Sequence, residues 1–395
     1  MRERMLFLSA RSHTPEDREG DIRTENFLDI LLERFDIDLL EYCHHRRETQ
    51  ILRSPALTVH QVKRPAATRR SLLFPLNRLR TDASMIGNDK SLRAVITEMC
   101  SQHDYSHVFV SYAMLGNGLD LVSSLLPGAV IVTDVRRAYG RQAQSRAAGK
   151  RGISTGYRKL NNALMRREER RFMNKTSLLL AASEEEALSF KALSFADAGK
   201  VHVVPPYIDL SEPPYAAAGD TAKDNSIVLH WDMHSTHGKN AALLFFKKVY
   251  PLVQVAVPDL RCCVISGEVH PEVAAAARKD SSILIIGEAI QTADYIRRAR
   301  AVVASCSEDC GSQSKILEAW ALRTPVVSSL KGSEELICEP GRNILLAETT
   351  AAFAEHLITL LTTPELGSII ADQAYRTLSK HYAADGVKAK VLSLV

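Results

Sequence analysis

Short apolar runs alternate with amphipathic segments along most of the chain, and the alternation restarts after a proline-rich break near the middle. This pattern restricts the fold more than any single motif. A short apolar run followed by apolar residues at helical spacing reads as a βα unit. A series of such units makes a parallel sheet covered by helices on both faces. In the first half, Met5–Ser9, Ile37–Tyr42, Leu57–Val62, His107–Ser111, Ala129–Asp134, Leu178–Ala182 and Val201–Val204 read as strands. Helical spacing appears at Thr24–Phe35, Ser91–Cys100, Asn117–Leu126 and Tyr157–Met173. Pro205-Pro206, Pro213-Pro214 and the small, polar stretch Ala216–Asn225 carry no clear period. The alternation resumes with strands at Ser226–His230, Arg261–Ser266, Ile283–Ile286, Ala301–Ala304, Pro325–Ser329 and Ile344–Leu346. Helical patterns lie at Ala241–Tyr250, Ser314–Leu322, Thr350–Thr362 and Pro364–Tyr382.

The expected fold class is therefore α/β, with two doubly wound parallel-sheet domains in tandem. A chain of 395 residues is too long for one ordinary core and suits two of roughly 200 residues each. The expected boundaries are a first domain at 1–205, a linker at 206–225, a second domain at 226–380 and a segment at 381–395 returning toward the first. Such sheets bind ligands at the carboxyl ends of their strands, and two of them facing a central cleft suit an enzyme that joins two substrates.

Composition narrows the function classes. No stretch approaches the ~20 uncharged apolar residues of a membrane span. Met1-Arg2-Glu3-Arg4 leads into a short apolar run that fits a first strand better than a signal peptide. Seven scattered cysteines without zinc spacing suggest reduced thiols and a cytoplasmic location. Residues 1–200 hold 32 Lys/Arg against 24 Asp/Glu, although the whole chain is only +4. The excess concentrates in Arg136–Lys175, with 13 basic residues and two acidic ones, and in Lys63–Arg80, with six bases and no acid. That charge suits an anionic membrane surface or a lipid-diphosphate acceptor. The tract has few interleaved aromatics and no recognition motif, which argues against nucleic acid.

The most informative segment is Cys310-Gly311-Ser312-Gln313-Ser314-Lys315-Ile316-Leu317-Glu318-Ala319-Trp320-Ala321, running on through Leu322-Arg323-Thr324 into Pro325-Val326-Val327. A Gly-Ser pair opening a helix presents free N–H groups and the positive end of the helix dipole, which favours phosphate oxygens. Lys315 adds a cation. Glu318 offers a carboxylate to vicinal hydroxyls. By itself this reads as an ordinary capped helix.

The segment resembles the donor-site helix of glycosyltransferase family 4, in the subgroup reading G-T-R-L-K-I-L-E-A-M-A-x-G-x-P-V-V. Three further anchors occur in the family's order. Leu6–Arg23, with Pro15, Gly20-Asp21 and Arg23, is similar to its first strand and loop. Val201–Asp209 is similar to its entry into the second domain. Asn240–Pro258 is similar to its N-x-D-A-x-x-W-F stretch. The resemblance spans most of the chain and implies a GT-B fold, two Rossmann-like domains facing a cleft. It also implies a nucleotide-diphosphate sugar as co-substrate, no obligatory metal and no other cofactor, and transfer with retention of anomeric configuration.

On this resemblance Gly311, Ser312, Lys315, Glu318, Lys239, His237, Gly267 and Gly287 are the donor-binding candidates. Asp134 and His13 are the catalytic candidates of the first domain, and Gly20, Arg136 and Arg137 the acceptor-binding ones. The acceptor class is a glycan, a lipid-linked sugar or a protein. The location implied is cytoplasmic, peripheral on the inner face of the cell membrane through the basic tract 136–175. Three positions depart from the family. Cys310 stands where many members have the first glutamate of a Glu-x7-Glu pair. No arginine lies in Trp231–Asn240. Arg323 stands where a glycine is usual. The first two also suit an alternative, a non-catalytic GT-B subunit that binds a glycan or a catalytic partner. A sugar-nucleotide epimerase on the same fold fits the four anchors less well.

Overall fold

A computed structural model describes residues 2–9, 22–43, 51–63, 89–111, 117–135, 163, 166–216, 221–231, 233, 236–267, 269–287, 292–305 and 313–395. The chain divides into two units, Met1–Pro205 with Lys388–Val395, and Pro206–Val387. Among the described residues, no helix is long and apolar enough to cross a membrane.

The first unit is built on β1 (Glu3–Ser9), β2 (Phe35–Cys43), β3 (Ile51–Ser54), β4 (Leu57–Lys63), β5 (His107–Ser111), β6 (Val130–Val135), β7 (Leu178–Ala181) and β8 (Val201–Val203). Their order in the sheet is β3-β4-β2-β1-β5-β6-β7-β8. Seven strands run parallel, and β3 pairs antiparallel with β4 at the edge. Strand side chains alternate between faces. Leu6 and Leu8 of β1 therefore join Leu92, Ile96 and Met99 of the Lys90–Gln102 helix. Phe7 stacks on Phe109 at 4.5 Å, and Phe27 from the Ile22–Leu32 helix tilts against the same ring at 5.1 Å on the other face. The β3 edge strand lacks a sequence signal because Ile51–Ser54 is too short to show a period.

The second unit repeats the plan with β9 (Ser226–His230), β10 (Arg261–Ile265), β11 (Ile283–Ile286), β12 (Ala301–Ser305), β13 (Val326–Ser328) and β14 (Leu345–Leu346). All pairings are parallel, in the order β11-β10-β9-β12-β13-β14. Chain order runs outward from β9 in one direction to β11, then returns to its other side at β12. The winding thus reverses between β9 and β12. Ile227, Leu229 and Trp231 face Phe245, Tyr250 and Phe353. Val228 faces Ile316, Leu317 and Trp320 of the Gln313–Ala321 helix. With both faces covered, every residue of β9 is buried.

Two local features differ from the sequence expectations. The helix read as ending at Tyr250 instead continues. Thr236–Leu244 passes through one wide turn, Phe245–Val249, into Tyr250–Ala256. The Tyr250 N–H donates to the Phe245 carbonyl five residues back, and this wider turn accommodates Pro251 at the start of the next segment. The other is the stretch read as a linker, whose described residues belong to the second unit. Tyr207 and Ile208 are buried. The Ile208 N–H donates to the Tyr382 carbonyl at 2.9 Å, and the Ala384 N–H to the Ile208 carbonyl at 3.1 Å. Lys223 Nζ donates to the carbonyls of Arg297 and Arg323 and to Thr324 Oγ1, at 2.8, 3.1 and 3.0 Å.

Candidate functional site

The residues with an open chemical role gather at the carboxyl edge of the second sheet, where its winding reverses. Doubly wound sheets bind ligands at such a switch point, because the flanking helices leave in opposite directions and open a crevice. β9 delivers His230 to this place. His230 is the last residue of its strand and shares a face with Val228, so it points toward the Gln313–Ala321 helix rather than toward Phe245. It is 1% exposed. His230 Nδ1 lies 3.6 Å from Glu318 Oε2.

Glu318 sits where the helix's geometry requires. Ile316, Leu317, Ala319, Trp320 and Ala321 are buried against the sheet, while Lys315 and Glu318, one turn apart, lie half-buried at its margin. Burial, then the positive charge of Lys315, pushes the His230 imidazole well below its ordinary value, so it stays neutral despite the nearby carboxylate. Tyr215, from the stretch read as a linker, comes close enough that the Glu318 charge adds to burial in pushing its hydroxyl upward. Neither His230 nor Tyr215 was a sequence candidate. A histidine ending an apolar strand was the available signal for the first. For the second there was none.

The helix closes in a Schellman arrangement. The Thr324 N–H donates to the Ala319 carbonyl at 2.9 Å and the Arg323 N–H to the Trp320 carbonyl at 3.1 Å. Arg323 takes the left-handed position with φ +52°. This explains why glycine suits that place. The arginine is held by Asp372 at 2.7 Å and by the Tyr375 ring, 3.8 Å below its guanidinium.

The other donor candidates are more dispersed. Lys239 forms an ion pair with Glu272 at 3.0 Å. His237 is exposed on the same helix turn. Gly267 follows β10 and Gly287 follows β11, both exposed; a Cβ at Gly287 would meet nothing within 4 Å. Gly311 and Ser312 lie outside the described residues, as do His13, Gly20, Arg136 and Arg137. Among the described residues, no three His, Cys, Asp or Glu side chains converge as a metal site requires.

In the first unit, Asp134 near the end of β6 is fully buried. It accepts from Arg23 Nε at 2.9 Å, and Arg23 Nη2 lies 2.8 Å from the same oxygen. Burial pushes its carboxyl above the ordinary value, and the charge and hydrogen bond of Arg23 oppose that shift. Asp134 thereby ties the start of the Ile22–Leu32 helix to the sheet. Of the basic tract 136–175, the described cations are partly engaged: Arg171 and Lys175 both pair with Asp120, and Arg170 donates to the Leu193 carbonyl at 3.0 Å. Arg166 and Arg167 are exposed.

Comparison with solved structures extends over nearly the whole chain. HepE of Anabaena in complex with UDP and glucose is 14% identical, with 98% of each chain covered and a TM-score of 0.64. Sucrose-phosphate synthase from Thermosynechococcus elongatus is 13% identical, covering 100% of this chain and 98% of that one, with a TM-score of 0.69. A glycosyltransferase from Rickettsia africae is 13% identical over 100% and 97%, with a TM-score of 0.60. The fold is GT-B. Residues 232–363 also match the family model described as glycosyl transferases group 1. No curated protein matches the chain. The matched stretch contains Lys239, Gly267, Gly287, Lys315 and Glu318, and it begins two residues after His230. In this GT-B chain the family signal therefore falls on the unit that carries the switch-point cluster.

Proposed function

We propose that this chain is a glycosyltransferase of the family 4 type, moving a sugar from a nucleotide-diphosphate donor to a glycan, lipid-linked or protein acceptor with retention of configuration and without an obligatory metal. The observation that carries the proposal is the placement of Lys315 and Glu318 on the helix after β12, at the point where the second sheet reverses its winding. HepE, a neighbour in fold, is known in complex with UDP-glucose, which supports a nucleotide sugar as co-substrate here.

The chemistry follows from where charge develops. Breaking the sugar–phosphate bond leaves negative charge on the departing diphosphate. Fixed donors already in place lower that barrier without waiting for reorganisation. Gly311 and Ser312, which precede the Gln313–Ala321 helix in sequence, supply those donors with Lys315. Glu318 accepts from the vicinal hydroxyls of the donor's ribose. Lys239, His237, Gly267 and Gly287 complete the donor side. His13 and Gly20, between β1 and the Ile22–Leu32 helix in sequence, with Arg136 and Arg137 after β6 in sequence, serve the acceptor and the reacting carbon. Asp134, enclosed with Arg23, holds the start of the Ile22–Leu32 helix. The basic tract 136–175 docks the first domain on an anionic membrane from the cytoplasmic side.

Incubation with a panel of UDP-, GDP- and ADP-sugars tests the reading. Wild type is expected to bind one base class and release its nucleoside diphosphate, and Glu318→Ala to lose most of that activity. Absence of both turnover and nucleotide binding with every donor would refute the enzyme and favour a non-catalytic subunit. Co-sedimentation with vesicles tests the membrane reading. Retention only by anionic vesicles is expected, and equal binding to neutral ones would overturn it.

A further inference from the structure

Both ring nitrogens of His230 are buried without a hydrogen-bond partner. Buried polar groups in native chains are almost always bonded, so an orphan is a strain reservoir or a group waiting for a ligand-bound state. A core histidine serving packing alone would have taken a backbone carbonyl or a hydroxyl as partner. His230 instead ends β9 at the switch point, with Glu318 Oε2 3.6 Å from its Nδ1, beyond hydrogen-bond range but within reach of a small side-chain movement. Glu318 keeps 20% of its side chain exposed, so its carboxylate has room to turn. A second orphan, Ser328 Oγ, lies at the end of β13 on the same carboxyl edge. Together they put buried polar atoms without partners at two strand ends of one edge, where a ligand would meet them.

We infer that His230 is a positioning residue for the nucleotide: in the donor-bound state its Nδ1–H donates to Glu318 Oε2 and turns Oε1 toward the vicinal hydroxyls of the ribose. The inference rests on the donor reading of this site. No net charge is added near Lys315, because the imidazole is neutral. Its N–H is a donor that brings no second positive charge to the diphosphate side.

The test uses the whole chain and the nucleoside diphosphate (UDP, GDP or ADP) that wild type binds. His230→Phe keeps the ring and removes the donor. His230→Asn restores an N–H near the Nδ1 position. With His230→Phe, the dissociation constant and the KM for the nucleotide sugar are expected to rise about tenfold, with kcat within about threefold of wild type. His230→Asn is expected to recover most of the affinity. In a Glu318→Ala background His230→Phe is expected to add nothing. Nucleotide is also expected to shift the ring-nitrogen resonances of His230 in unsubstituted protein, a readout that survives if the Phe variant does not fold. Unchanged resonances with nucleotide bound, wild-type affinity in His230→Phe, or an undiminished His230→Phe effect in the Glu318→Ala background would overturn the inference. A wild type that binds no nucleotide would overturn the donor reading itself, a result distinct from each of these.

Discussion

The two units place polar side chains at equivalent positions, the carboxyl ends of parallel strands, and treat them in opposite ways. At the end of β6, Asp134 is enclosed and shares one oxygen with two nitrogens of Arg23. At the end of β9, His230 is equally enclosed and has no hydrogen-bond partner, while Glu318 stands just out of range. The first arrangement pairs its charges within the fold. The second leaves a neutral ring with no hydrogen bond from the fold. A strand end whose charges are paired within the fold serves the fold, and a buried ring left without a hydrogen bond marks where the fold yields stability to binding.

The largest expected effect tests the charge-paired end. Asp134→Ala leaves the Arg23 guanidinium buried without its charge partner, and breaking a buried pair in this way costs ~3–5 kcal/mol. Urea unfolding is expected to show that loss in the transition of the first unit. Replacing both partners, with Asp134→Leu and Arg23→Met, is expected to recover most of it, because the penalty lies in the uncompensated charge. A single substitution costing under ~1 kcal/mol would mean that water reaches Arg23, and the contrast between the two strand ends would fail.

The next effect tests the open end. A hydrogen bond to a charged group contributes ~1.5–3 kcal/mol, so Glu318→Ala is expected to weaken nucleoside-diphosphate binding about 10- to 100-fold in calorimetric titration. The same variant is expected to keep its melting temperature, since Glu318 is partly exposed. Lost stability with retained affinity would assign Glu318 to the fold instead.

Acidification compares the two ends again. His230 titrates below its ordinary value in the folded chain, through burial first and the Lys315 charge second. The unfolded chain takes up a proton near pH 6.5 that the folded one refuses. The stability contribution of His230 is therefore fully present above that pH and falls as pH drops, by at most ~1.4 kcal/mol per unit. In the first unit His60 and His107 are also held low by burial, but Asp38 and Glu98 beside the one and Glu3 beside the other pull back. Unfolding followed from pH 7.5 to 5 is expected to show the second unit losing stability, and His230→Phe is expected to flatten that loss. An equal slope in wild type and variant would show that His230 protonates freely when folded.

Much of this architecture is legible in the sequence because parallel strands buried on both faces read as continuous apolar runs. Ser226–His230 and Ala301–Ala304 stand out on that ground alone. Glu318 and Lys315 are legible through the family resemblance, since by themselves they read as polar positions of an ordinary capped helix. His230 is not, because its meaning depends on which sheet face it points to and which helix covers that face. The Arg23–Asp134 pair spans 111 residues, and no local pattern announces it. Tyr215 looked like part of a linker, because proline-rich sequence signals irregular backbone whether it is packed or free.

The smallest effect concerns Arg323, where departure from the usual glycine can be weighed directly. A side chain at φ +52° carries roughly 1–2 kcal/mol of backbone cost. Its exposed pairing with Asp372 returns about 0.2–1 kcal/mol, and its contact with the Tyr375 ring about 0.5–1 kcal/mol. Arg323→Gly relieves the cost and loses both contacts, and it also loosens the unfolded chain, which costs a further 0.4–1 kcal/mol or so. The net is expected within about 1 kcal/mol of wild type. Arg323→Ala loses the same contacts and keeps the backbone cost, so it is expected to melt below Arg323→Gly. Thermal unfolding of the two variants decides the point. An alanine variant as stable as the glycine one would show that the helix end relaxes away from the left-handed turn. The Lys223 bond to the Arg323 carbonyl, which holds that turn, would then be expected to weaken as well.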